Sequence, residues 1–363
     1  MDICFIDKKL ESIYAKVLKK SRLSREDGIC LFKTDDIVGL GKIANYVKTS
    51  LHKNKVYYIC NQHINYTNVC KNKCLFCAYA RDINEKGSYT MSINEIEQVL
   101  LNHIDKSIDE LHIVGGLNEN LTFEYFIDLL KTAKRIRPKA FIKAFTCVEI
   151  DYLSSISKLS IEQVIIRLKE AGLDMMPGGG AEILNSRVHN QLFKKKINCD
   201  SWIEITRLVH KHGIKTNATI LYGHIETIEE RVDHLIKLRE LQDETLGFLA
   251  FVPLAFHPEN TELSDVLPST AVDDLKNIAV ARLILDNFDH IKAYWVMITE
   301  ALAQIALSFG ADDLDGTIVE EKITHFAGAK SARGLSEKQL KRLITNAGFK
   351  PVKRDSFYNP VSS

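Results

Sequence analysis

Short apolar runs alternate with helix-period segments along most of the chain. The runs occupy residues 56–65, 110–117, 141–149, 175–182, 215–223 and 247–256, with weaker candidates at 291–298 and 306–314. Each has the length of a strand and is apolar on both faces, the mark of a parallel sheet covered on both sides. The helical segments between them carry start signals. Ser92-Ile93-Asn94-Glu95 and Ser160-Ile161-Glu162-Gln163 both read as capping boxes, and Gly172 and Gly213 follow helix ends where a left-handed residue is wanted. At least six consecutive βα units predict a TIM-type (β/α) barrel, a six-unit core closing towards eight. A doubly wound sheet would announce itself by a glycine-rich dinucleotide loop after its first strand. A cysteine loop stands there instead. Residues 1–50 read as an N-terminal helical cap over the bottom of the barrel, 51–320 as the barrel, and 321–363 as a helical C-terminal extension.

Composition narrows the function classes. Lys plus Arg number 48 against 47 Asp plus Glu, a net charge of +1, which leaves no electrostatic footprint for nucleic acid or an anionic membrane. No apolar stretch has the length of a membrane span, and the N-terminus turns charged at Asp2, Asp7, Lys8 and Lys9, unlike a signal peptide. The expected compartment is the reducing cytoplasm.

Eight cysteines in such a compartment are not a disulfide framework. Cys4, Cys30, Cys60, Cys147 and Cys199 are scattered and read as small apolar residues. Cys70, Cys74 and Cys77 are crowded into one loop directly after the first predicted strand, at C-x3-C-x2-C spacing. A structural zinc site wants four ligands, and neither a second CxxC nor a nearby Cys–His pair supplies the fourth. Three thiolates on one tight loop suit a cubane cluster with one iron left open. A zinc loop and three chance cysteines are the competing readings.

The spacing, with Phe76 just before the last cysteine, resembles the signature of the radical S-adenosylmethionine (SAM) superfamily. That resemblance implies a 4Fe–4S cluster on Cys70, Cys74 and Cys77, whose open iron binds SAM. It gives further residues candidate roles at strand ends. Gly115-Gly116 lets backbone approach the methionine amine, and Glu182, after Gly178-Gly179-Gly180, offers a carboxylate to the ribose hydroxyls or that amine. Phe76, Tyr79 and Val252 are candidates for adenine contact. A bare turn, a helix-terminal acid and core packing explain the same residues without a ligand.

Longer stretches are similar to one family within the superfamily, the aminofutalosine synthases of the menaquinone pathway. They include residues 63–70, 143–146, 177–183, 215–227 and 255–261, and above all 291–297 (Ile-Lys-Ala-Tyr-Trp-Val-Met) and 308–317. The likeness runs from about residue 8 to about residue 358; Cys147 departs from it, where a smaller residue is expected. Dehypoxanthine futalosine cyclase and the deazaflavin synthases share the frame and are the alternatives. The resemblance implies that SAM donates its adenosyl group to 3-[(1-carboxyvinyl)oxy]benzoate, giving 6-amino-6-deoxyfutalosine, with flavodoxin or ferredoxin as one-electron donor. Two carboxylates entering a dry barrel need cations or aligned donors. Arg81, Arg187, Lys215, His224, His257, Arg282 and Lys292 lie near predicted strand ends or the loops after them. Strand alternation puts Asn217 and Thr219 on one face. His224 and Glu226, after the fifth strand, and Glu149, read at the end of the third, are candidates for moving protons.

Overall fold

The computed structural model describes residues 4–319 and 322–361. Three helices come first: α1 (Lys9–Leu18), α2 (Arg25–Lys33) and α3 (Ile37–His52). The barrel opens with β1 (Lys55–Ile59) and β2 (Asn61–Ile64), one extended segment broken at Cys60. Then follow α4 (Ile93–Leu101), β3 (Glu110–Ile113), α5 (Phe123–Ile136), β4 (Phe141–Ala144), α6 (Cys147–Ser157), α7 (Ile161–Glu170) and β5 (Met175–Met176). The second half contains α8 (Ser186–Leu192), α9 (Cys199–Lys211), β6 (Lys215–Tyr222), α10 (Ile228–Thr245), β7 (Phe248–Ala255), α11 (Ala271–Ile284) and β8 (His290–Ile291). The chain ends with α12 (Trp295–Ile298), α13 (Glu300–Ala306), β9 (Asp313–Gly316), α14 (Ile323–Phe326), α15 (Glu337–Asn346) and β10 (Lys350–Lys353).

Strands β2 to β8 form one parallel sheet in sequence order, curled into a partial barrel with helices outside. The gap between its edges is spanned by β9, which pairs with β1 and meets β8 through a Lys292–Asp313 bridge, while Val319 bridges to Gln62. With β1 and β2 counted as one strand, eight strands stand around the axis, as the closing six-unit core predicted. The capping boxes at Ser92 and Ser160 form with both hydrogen bonds present, and Gly172 and Gly213 take left-handed φ values of +114° and +73°.

Three expectations are corrected. The run at 141–149 is a four-residue strand and then a helix. Phe145 turns the chain at φ +60°, and Thr146 caps α6 by accepting from the Glu149 amide, so Glu149 sits in a first helical turn and not on a strand. The N-terminal helices do not cover the bottom of the barrel. They lie against its flank, α3 along α11 and α2 across α10 and α11, where a Cβ at Gly28 would fall 2.9 Å from Val232 Cγ1. The C-terminal half of α3 reaches the lower rim, with His52 Nε2 2.7 Å from the Asp289 carbonyl and Lys48 Nζ 3.4 Å from the Leu307 carbonyl. The C-terminal extension is not purely helical, since β10 adds a parallel strand to β1. The boundary drawn at 320/321 falls on residues outside the described ones. Among the described residues no helix is long and apolar enough to cross a membrane.

Candidate active site

Tight pairing between the two ends of the cysteine loop builds the upper rim of the barrel. The loop leaves β2 at Ile64 and returns at α4. The Cys70 amide donates to the Arg81 carbonyl at 3.1 Å and the Arg81 amide to the Asn68 carbonyl at 2.9 Å, while Cys77 N–H closes a turn on Cys74 O at 3.0 Å. The loop after β3 and the end of α8 hold it from outside, with Lys71 N–H on Leu117 O (3.1 Å) and Leu75 N–H on Leu192 O (3.0 Å). Gly116 is required for this packing: a Cβ there would stand 2.2 Å from the Val69 carbonyl oxygen.

Beneath the loop lies a cavity of about 400 Å³ lined by Cys70, Cys74 and Cys77 together with the ends of strands β2 to β8. All three thiols are free and half-buried. Burial pushes the Cys74 thiol up to about 12 and raises that of Cys77, where the Tyr79 and Ala80 amides pull the other way. Thiols so placed are protonated until a metal displaces the proton. Three soft, half-buried donors on one loop, facing one cavity, fit a 4Fe–4S cluster with an open iron. The cradle for a ligand is also present. Gly179 lines the cavity, and a Cβ there would meet only Thr146 Cγ2, at 3.4 Å.

Of the residues expected to hold SAM, Phe76, Tyr79, Gly115, Gly116, Glu182 and Val252 all line this cavity. Glu182 is not a helix-terminal acid: it sits at φ +48°, four residues before α8, and its carboxylate takes a hydrogen bond of 2.5 Å from Lys196 Nζ. Lys196 was not expected. Its ammonium loses hydration on burial, but Glu182 and Cys74 keep its proton bound more firmly than in water, and it lies 5.1 Å over the Phe76 ring. Nothing distinguishes it from Lys194 and Lys195 in sequence, and a run of three lysines reads as a solvated loop.

The structure also gathers Glu149, Asn217, Thr219 and His257 around the cavity. Asn217 and Thr219 share the inward face of β6, and Thr219 is in register with Val252. Glu149 accepts from Tyr66 Oη at 2.8 Å and from the Thr146 amide at 2.7 Å, yet complete burial raises its carboxyl to about 7. His257 Nε2 is 2.9 Å from the Met297 carbonyl.

Four other candidates stand elsewhere. His224 is buried behind the wall, its Nδ1 2.8 Å from Glu226. Against the upward push of burial, His224 and Arg231 hold the Glu226 carboxyl at about 2. Arg81 staples the cysteine loop by donating to the Ala78 and Ala80 carbonyls at 2.9 and 2.8 Å. Arg187 pairs with Glu230 at 2.6 Å on the outer surface. Arg282 is buried at the opposite end of the barrel, bonded to Asp312 and to the Gly310 carbonyl. None of these four lines the cavity.

The floor of the cavity is charged, which the apolar runs concealed. His63, His112 and Lys143 stand side by side in register on β2, β3 and β4, and Lys292, just after β8, and Asp315 on β9 border the same cavity. Lys143 pairs with Glu110, and Lys292 Nζ donates to Asp315 at 2.5 Å. His63 and His112 stack with ring centroids 4.6 Å apart.

Comparison with known proteins agrees with this geometry. Residues 64–238 match the radical SAM superfamily, and residues 245–363 match the CofH/MqnC C-terminal region. The chain is 44% identical to aminodeoxyfutalosine synthase of Thermus thermophilus, over 98% of this chain and 96% of that protein. Identity is 40% to the synthase of Streptomyces coelicolor, over 94% and 92%. It falls to 33% for cyclic dehypoxanthine futalosine synthase of Halalkalibacterium halodurans, over 97% and 95%. In fold, methylornithine synthase superposes with a TM-score of 0.76 at 19% identity, covering 93% of this chain and 97% of that one. A cluster loop at the mouth of a partial parallel barrel, with such identity over nearly the whole length, makes this chain a member of the aminodeoxyfutalosine synthase family of radical SAM enzymes.

Proposed function

We propose that the chain joins the adenosyl group of SAM to 3-[(1-carboxyvinyl)oxy]benzoate, with loss of one carboxyl group, to give 6-amino-6-deoxyfutalosine for menaquinone synthesis. The observation that carries the reading is the division of one cavity into a three-thiol rim and an ion-paired floor whose lysines can donate to an anion. A radical generator belongs at the first, and an anionic substrate at the second.

When bound, the cluster on Cys70, Cys74 and Cys77 and its SAM supply the 5′-deoxyadenosyl radical. The protein does the rest by placement. Glu182, held by Lys196, presents a carboxylate to the SAM ribose or amine, and Gly115, Gly116 and Gly179 let backbone come close to it. Phe76, Tyr79 and Val252 provide the apolar contacts for adenine. Asn217, Thr219 and His257 contact the enolpyruvyl group below. Glu149 exchanges a proton near pH 7, since its carboxyl is poised there. The division into an N-terminal unit (1–50), a barrel (51–320) and an extension (321–363), cytoplasmic residence and a flavodoxin- or ferredoxin-type donor belong to the same reading.

The test is the fate of the adenosyl group. Reduced holoenzyme is mixed anaerobically with ribose-labelled SAM and the enolpyruvyl benzoate. Mass spectrometry should find the label in aminofutalosine, with methionine in about equal amount. If 5′-deoxyadenosine tracks turnover one for one and dehypoxanthine futalosine is cyclised, the chain is a cyclase.

A further inference from the structure

The charged floor has hydrogen-bonding capacity to spare. Glu110, Asp313 and Asp315 stand against Lys143, Lys292 and Arg354, so the network is balanced without a ligand. An ammonium carries three N–H donors. Lys143 directs one to Glu110 and Lys292 one to Asp315, and both side chains border the cavity. His112 borders it too, flat against His63. Buried donors are costly to leave unmade, and a ligand that enters this cavity can take them.

Depth supplies the orientation. His112 lies on β3 three residues before Gly115, about 10 Å at roughly 3.3 Å per residue. That separation suits a benzene ring with a substituent towards each end. The vinyl carbon must meet the adenosyl group at the rim, so the ring and its carboxylate hang below.

We infer that Lys143, Lys292 and His112 form a carboxylate subsite at the closed end of the barrel. It seats the ring carboxylate of the aromatic substrate and thereby aims the vinyl carbon at the rim. The inference rests on the reaction proposed above and assigns the part of the substrate that the floor recognises.

The experiment pairs a change in the protein with a change in the ligand. Binding to SAM-loaded holoenzyme is measured for the enolpyruvyl benzoate and for the same enol ether on an unsubstituted ring. The wild type should prefer the carboxylated ligand by roughly 10- to 100-fold, the range for hydrogen bonds to a charged group. In Lys292→Gln and in His112→Phe the preference should shrink to within about threefold, with iron content and SAM affinity retained. His112→Phe keeps the ring stack and serves if Lys292→Gln fails to fold. A preference that survives in the variants, or a wild type that binds both ligands alike, overturns the subsite and leaves the reaction standing. A wild type that binds neither overturns the reaction and the subsite with it.

Discussion

Glu149 offers a sharp electrostatic test of the site. Its carboxylate receives hydrogen bonds from Tyr66 and the Thr146 amide, but sits in full burial that raises it from 4.5 to about 7. Between those values the folded protein holds a proton that the unfolded chain has released. Stability therefore falls as pH rises through this window, and the loss is complete above about pH 7. A rise of that size corresponds to about 3 kcal/mol, at roughly 1.4 kcal/mol per pH unit. Glu149→Gln removes the titration. It also turns an N–H towards a donor, at a pH-independent cost of about 1–3 kcal/mol. The readout is accordingly a slope. Unfolding of anaerobic holoenzyme should show the wild type losing about 2 kcal/mol relative to Glu149→Gln between about pH 5.5 and 7. Difference infrared spectroscopy should show a protonated carboxyl band with a midpoint near 7 that the variant lacks. A flat difference in stability, or a midpoint below about 5, would refute the assignment.

Two further outcomes follow from the rim. Alanine at Cys70, Cys74 or Cys77 should abolish SAM cleavage and deplete iron, whereas alanine at Cys4, Cys30, Cys60, Cys147 or Cys199 should leave the iron content intact by metal analysis. Glu182→Gln should weaken SAM binding roughly 10- to 100-fold with the cluster retained, because a charge-assisted contact becomes a neutral one; unchanged affinity would reduce Glu182 to a partner of Lys196.

What was legible in the chain was what is local. The cysteine loop declares itself because its chemistry lies within eight residues, and the glycines at 115–116 and 178–180 because close approach leaves few alternatives. Strand positions were readable from apolar runs, but their ends were not. At 141–149 the apolar character continues past Ala144 into the buried face of α6, so hydrophobicity alone cannot see the turn at Phe145. At 175–182 only Met175 and Met176 pair, because the glycines after them leave the ladder. Cations were the least legible. Arg187, Arg282 and Lys196 look equally free in sequence, and only folding shows that Glu230, Asp312 and Glu182 claim them.

Donor satisfaction is also what separates structural charge from functional charge in this barrel. At the lower end, Arg282 gives Nε to Gly310 O, Nη1 to Asp289 O and Nη2 to Asp312. Asp312 in turn accepts from His290 Nδ1 at 2.5 Å and from the Ile291 amide at 2.8 Å. His52, His290 and Asp312 bring three metal-type ligand atoms close together there. A cation has little claim on the group, for the guanidinium of Arg282 already neutralises the carboxylate. That network is closed, and it ties the starts of β8 and β9 to α11. The floor of the upper cavity contains the same kinds of residue in the opposite condition. Among the described residues its lysines are each paired with one carboxylate, and both border the cavity. Buried ion pairs contribute little net stability, since desolvation offsets most of their attraction. A barrel could fill the same volume with leucine at no loss. Charge kept at that depth, and kept incompletely bonded, is explained by something that arrives to complete it.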